Sequence, residues 1–239
     1  MTISKFFALA TVFVAAFTLG SCSKDDDEDE KTVVENNPKY GDHEYVDLGL
    51  PSGTLWATCN VGASKPEEYG DYFAWGETKL KEIFEDATYK YGTYNALTKY
   101  CTDSEYGTVD NKTELLPDDD AATVNWGSSW HMPSSDQFKE LINSDYTTTA
   151  WTTQNGVNGL KITSKKNGKT LFLPGGGQRY HGQNTTYADV GDRGLYWSCS
   201  LYTNKAYNAY LLDFESDVLV FSYGNRYYGF SVRPVLSLK

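Results

Sequence analysis

Four cysteines, three histidines and scattered runs of acids are the residues of this 239-residue chain with the means to make or break bonds. A zinc site needs cysteines or histidines at short spacings. No Cys-x-x-Cys occurs, and His43, His131 and His181 lie far apart, so no metal ligand set is assigned. Thiol catalysis needs a cysteine activated by a nearby base; Cys199 stands alone in the C-terminal part, without a histidine placed to activate it. Glycoside hydrolysis needs two opposed carboxylates, and Asp71, Glu77 and the Asp118–Asp120 run supply acids without marking a pair. Calcium is the metal those oxygens would suit, yet no EF-hand spacing is present. The Asp118–Asp120 run reads better as the N-cap and first turn of a short helix beginning near Ala121. Gly168-Lys169-Thr170 suggests a phosphate loop, but Thr163 stands where the first glycine is required and no helix follows. No cofactor is expected, and the residues point away from an enzyme.

Contact chemistry is what remains. Nineteen tyrosines make Tyr the commonest aromatic, and aromatics are 15% of the chain. A tyrosine offers a large apolar face with a polar tip, useful in a core and on a binding surface. Between Tyr210 and Tyr223 the residues alternate as a strand requires. Tyr210, Leu212, Phe214, Ser216, Val218 and Val220 form one parity, expected to face the core. Leu211, Asp213, Glu215, Asp217, Leu219, Phe221 and Tyr223 form the other, a mixture of acids and large apolar groups expected to face outward as a patch that needs a partner.

Several elements must hold such a surface. Residues 44–62 read as short strands broken by Pro51-Ser52-Gly53, and residues 63–125 as a long, loop-rich stretch. Ser134 or Ser135 is a plausible N-cap for a short amphipathic helix with Phe138, Leu141 and Ile142 on one face. From Val157 a hairpin is expected, with Asn167-Gly168 as a two-residue turn and Thr170–Leu173 as the returning strand. Gly175-Gly176-Gly177 reads as a turn or a close backbone approach.

The N-terminal residues address location. Lys5 precedes an apolar run from Phe6 to Phe17, too short to span a bilayer and suited to a signal peptide over residues 1–21. Leu19-Gly20-Ser21-Cys22 resembles a bacterial lipobox, which implies lipidation of Cys22 and a membrane anchor through buried methylenes. Six consecutive acids at 25–30 begin a tether expected over 22–43, too repulsive to fold. This run resembles the acidic tag after the lipidated cysteine of surface-exported lipoproteins, which implies the outer face of the outer membrane. Beyond residue 31, 26 acids face 18 bases, a balance of −8 that repels phosphate backbones and argues against nucleic acid as partner. An exported chain can form disulfides. Cys59 with Cys101 is the preferred pair, although three cysteines leave one over and connectivity is not fixed by sequence.

The blocks VDLGLPSGTLWATCNVGASKPEEYGDYFAWGET, DDDAATVNWGSSWHMPSSDQFKEL, TTQNGVNGLKITSKKNGKTLFLPGGGQR and YWSCS…NAY…RYYGFSVRPV occur in that order over residues 44–236. Together they resemble the Fibrobacter succinogenes major paralogous domain of Bacteroidetes surface lipoproteins, itself similar to the formylglycine-generating enzymes. The resemblance implies an α+β, C-type lectin-like domain over 44–239, with a twisted antiparallel sheet, few short helices and long loops. His131 replaces the arginine usual in the family's W-R-[ML]-P-[ST] motif, so a contact made by that arginine does not carry over. Residues 196–235 also resemble the variable segment of diversity-generating retroelement targets, where Y-W-S-S is usual and this chain has Cys199 in the last place. That resemblance implies variable, ligand-contacting positions at Cys199, Leu201, Tyr202, Lys205, Tyr207, Leu211, Asp213, Glu215, Asp217, Leu219, Phe221, Tyr223, Tyr227 and Tyr228. The expected function is binding of an extracellular protein or glycan. The alternatives are a structural subunit of a surface appendage, or an enzyme related to the formylglycine-generating proteins, which use a late cysteine pair that this chain lacks.

Overall fold

The computed structural model describes residues 37–181 and 185–236. The expected signal peptide, Cys22 and the acidic run at 25–30 lie outside the described residues. Strand is the dominant element and helices are few and short. Among the described residues no helix is long and apolar enough to cross a membrane.

One five-stranded sheet is built from β1 (Lys39–Tyr40), β2 (His43–Asp47), β3 (Leu55–Ala57), β5 (Trp130–His131) and β15 (Val235–Leu236), in the order β1-β2-β3-β15-β5. A second contains β4 (Tyr72–Phe73), β11 (Gly194–Leu201), β12 (Asn208–Phe214), β13 (Leu219–Asn225) and β14 (Phe230–Ser231), ordered β13-β12-β11-β14-β4. β11 and β14 run parallel; the other neighbours are antiparallel. A three-stranded sheet, β6 (Thr147–Gln154), β7 (Val157–Ser164) and β8 (Thr170–Pro174), and the ribbon of β9 (Gln178–His181) with β10 (Thr185–Ala188) complete the strands. The helices are α1 (Ala121–Trp126) and α2 (Ser135–Leu141).

Local chemistry explains most boundaries. Asp120 caps α1 by accepting from Thr123 N at 3.0 Å, so the N-cap reading of the acidic run holds for this residue. Ser134 caps α2 in a capping box with Gln137, and Phe138 and Leu141 are completely buried; such a cap is worth about 1 kcal/mol. Asn155 and Gly156, at φ +48° and +86°, close the β6–β7 hairpin as the two left-handed residues a tight turn wants.

The β7–β8 hairpin forms where expected, but its turn is longer. Ser164 N bonds to Lys169 O at 2.9 Å, enclosing four residues with only Gly168 left-handed. The Ser164 hydroxyl holds the N–H groups of Lys166 and Asn167, while Asn167 Nδ2 donates to Asp47 O at 2.9 Å. These bonds satisfy a loop that a two-residue turn would not contain. Gly177 is a close approach, as expected: a Cβ there would lie 2.1 Å from Ala188 O.

Two expectations are corrected. Residues 37–43, assigned to the tether, belong to the fold: β1 pairs with β2, and the Tyr40 hydroxyl meets Ser129 Oγ at 2.9 Å. Cys59 and Cys101 are free thiols. Cys59 follows β3 and sits beside Thr58, whereas Cys101 is fully buried and donates to Asp103 O at 3.0 Å.

The sheet of β11 and β12 separates two apolar cores. One gathers Trp75, Tyr89, Trp197, Leu211 and Phe230; the other gathers Trp56, Phe138, Leu160, Leu212 and Phe214. β12 is therefore buried on both faces, and that decides what its neighbour β13 can expose.

Candidate functional site

Glu215 N bonds to Val218 O at 2.8 Å, folding Ser216 and Asp217 into a two-residue turn between β12 and β13. The register is Phe214↔Leu219, Leu212↔Phe221 and Tyr210↔Tyr223. Partners across an antiparallel ladder share a face, so Tyr210, Leu212 and Phe214 lie on the same side as Leu219, Phe221 and Tyr223. Leu211 and Asp213 share the other side with Ser222 and Val220. The two parities expected from one unbroken strand thus exchange partners at the turn. Val218 and Val220, expected in the core, are exposed, Val220 at 42%.

Three expected contact residues leave the surface as a result. Leu201 and Leu211 are each 2% exposed, in the core with Trp197. Asp213 is 7% exposed and receives both Arg193 Nε at 2.7 Å and Nη2 at 2.6 Å; that bidentate bond raises the Arg193 pKa. Leu219, Phe221 and Tyr223 come together, on a gradient from half-buried to 47% exposed at Tyr223. Glu215 precedes the turn and Asp217 lies in it. Lys205 is exposed and Tyr202, Tyr207, Tyr227 and Tyr228 half-buried, in the loops at the opposite end.

The outer part of the first face is a ladder of rings. Tyr202 stacks on Tyr223 with centroids 4.1 Å apart and planes 7° from parallel. Tyr210 stacks on Phe221 at 5.0 Å, and Tyr202 meets Tyr210 edge-on at 5.3 Å. Lys139 of α2 brings its ammonium within 5.3 Å of the Phe221 ring. Farther along the same loops, Tyr207 takes Tyr94 and Tyr106 edge-on at 6.1 and 5.2 Å. Tyr228 meets Tyr227 at 4.8 Å and Tyr180 at 5.9 Å. Burial, followed by the neighbouring Tyr228, pushes the Tyr227 hydroxyl up to about 12, so it stays neutral and able to donate.

Arg226 fixes these loops from beneath. It is 1% exposed, lies 4.8 Å from the Trp75 ring, and donates to Tyr89 Oη, Tyr100 O, Ala206 O and Lys99 O. One guanidinium so ties four chain segments together, and its planar fork suits that task better than an ammonium.

Sequence reasoning missed Tyr210, Lys139, Arg226 and the tyrosines at 94, 106 and 180. The Glu215-Ser216-Asp217 polar triplet was the available signal for a turn, and it would have moved Tyr210 to the correct face. Asp119 and Asp120 are committed elsewhere: Asp119 to Lys90, Lys99 and Tyr100, Asp120 to Thr123 N and Met132 N. Among the described residues no three side chains are grouped to hold a metal ion. The Cys199 thiol is pushed up to about 12, chiefly by burial.

The chain matches no protein-family model, no curated protein and no solved structure.

Proposed function

We propose that this chain is a lipid-anchored surface protein that binds an extracellular protein or glycan through the ring ladder of Tyr202, Tyr210, Phe221 and Tyr223 and the tyrosine loops beside it. The single observation that carries the reading is this ladder of half-exposed rings, stacked at 4.1 and 5.0 Å on a hydrogen-bonded hairpin. Rigid aromatic groups give contact area at low entropic cost, and a paired sheet below preorganises them. The same rings suit pyranose faces and apolar protein patches. A C-type lectin-like fold, a domain of the Fibrobacter succinogenes major paralogous kind and retroelement-driven variation at the exposed positions are part of the proposal, supported by the ordered sequence blocks. A thiol that stays protonated at Cys199 favours contact over thiol catalysis.

The test is a glycan array and a panel of purified surface proteins, probed with the wild type and with the Tyr202→Ala, Tyr223→Ala double variant. Loss of about tenfold or more in affinity, with unchanged circular dichroism, is expected from removing two anchoring rings. A ligand bound equally by both proteins would overturn the assignment of the surface.

A further inference from the structure

β13 is the outermost strand of its sheet, and its free side is unguarded. The bond from Glu215 N to Val218 O sets the phase of the ladder. Hydrogen-bonded and non-hydrogen-bonded pairs alternate along an antiparallel pair. Asp213/Val220 and Leu211/Ser222 therefore exchange bonds, and the N–H and C=O groups of Leu219, Phe221 and Tyr223 point away from β12. Among the described residues, none of these outward groups has a main-chain or side-chain partner. Exposed edges are usually blunted by charge, proline or a bulge. The seven residues of β13, LVFSYGN, carry no charge and no proline, and their register with β12 is unbroken.

Next to this edge is a recess of about 190 Å³ between the β6–β7 hairpin and the Ser216–Asp217 turn. Trp151, Leu160 and Leu219 line it together with Glu215 and Asp217. Arg193 lies nearby, bound bidentately to Asp213 and 3.3 Å from Glu215. Arg193 is shared by Asp213 and Glu215, and among the described residues no cation is paired with Asp217, so the surplus is negative. An apolar stem with a cationic head is the side chain this combination accommodates.

We propose that β13 docks an extended peptide segment of a partner protein by antiparallel strand addition, with a lysine or arginine of that segment seated in the recess beside Leu219. Main-chain bonds to residues 219, 221 and 223 supply affinity, and the recess supplies selectivity. The inference rests on the binding reading above and narrows its ligand to a peptide. A second copy of the chain fits less well. Each copy carries the net charge of −8 beyond residue 31, and self-pairing about Phe221 sets LVFSYGN against itself, with no cation for the recess.

The probe is a fluorescein-labelled peptide of alternating valine and threonine with one arginine, titrated against the full chain by fluorescence anisotropy. Saturable micromolar binding is expected. It should weaken about tenfold or more when arginine is replaced by citrulline, or in the Glu215→Gln, Asp217→Asn double variant. Phe221→Pro should abolish it, because proline removes an outward donor and leaves the β12 ladder bonds in place. N-methylation of the peptide at alternate residues checks the same point without altering the protein. One methylation register should lose binding and the other keep it. Absence of saturable binding, or equal binding by both methylated peptides, overturns the inference. So does a concentration-dependent dimer that Phe221→Pro makes monomeric and the peptide fails to dissociate. If both methylated peptides bind equally while Tyr202→Ala loses the array or panel ligand, the ladder reading survives and the strand-addition reading does not.

Discussion

Asp119 shows how much of the site's support comes from single side chains. It is 4% exposed, yet it takes hydrogen bonds from Lys90 Nζ at 2.9 Å, Tyr100 Oη at 2.7 Å and Lys99 Nζ. Burial alone would raise its pKa; the bonds from Lys99, Tyr91, Tyr100 and Lys90 outweigh it and hold the carboxyl well below the usual carboxylate range. A carboxyl whose folded pKa is depressed contributes stability above its unfolded value and loses it as pH falls toward the folded one. The urea midpoint of the wild type should therefore drop as pH falls from about 4 toward 2. Asp119→Asn should be less stable at pH 7 and flatter over that window; parallel pH profiles would contradict this account. Sequence marked Asp120 correctly because an acid before a helical run has a local job. Asp119 was not legible, since its partners lie 19, 20 and 29 residues away. Leu211 was misplaced for a related reason: alternation says which residues share a face, and both faces of a strand can be buried.

At the scale of elements, the hairpin of β12 and β13 depends on α2 and on its own turn. α2 lays Phe138 and Leu141 in the core shared with Leu212 and Phe214 and extends Lys139 over Phe221. Ser134→Ala removes the cap and should cost about 1 kcal/mol, read as a lower urea midpoint with unchanged slope. Ser134→Thr should restore most of it. No change in the alanine variant would mean that packing, and not the capping box, sets where the helix begins. α2 was legible because an N-cap serine and apolar spacing agree within a short stretch. The turn at Ser216–Asp217 carried only the polar triplet Glu215-Ser216-Asp217 as its signal, because neither central residue takes a positive φ and no glycine or asparagine announces it. The β6 strand was hidden likewise: its burial is slight, with Thr148, Thr149 and Ala150 exposed, so no strong apolar alternation marks it.

For the whole molecule, the expected α+β domain agrees with the structure at the coarser level of mostly strand with few short helices, while the pairing of distant segments stayed out of reach. Nothing local says that Val235 lies between Trp56 and His131, or that Phe230 pairs with Phe73. The anchor proposal belongs at this scale. Metabolic labelling with a palmitate analogue should mark the wild type and leave Cys22→Ala unlabelled, with the variant released from the membrane fraction. An unlabelled wild type would remove the anchor and leave the ring ladder untouched.

β15 fills the slot between β3 and β5, and β14 joins β11 to β4. Two sheets begun by residues 43–73 and 130–131 thus wait for partners supplied some hundred residues or more downstream. Until residues near 236 emerge from the ribosome, the early strands have no neighbour on that side. Both sheets therefore close only after residues 230–236 have been made.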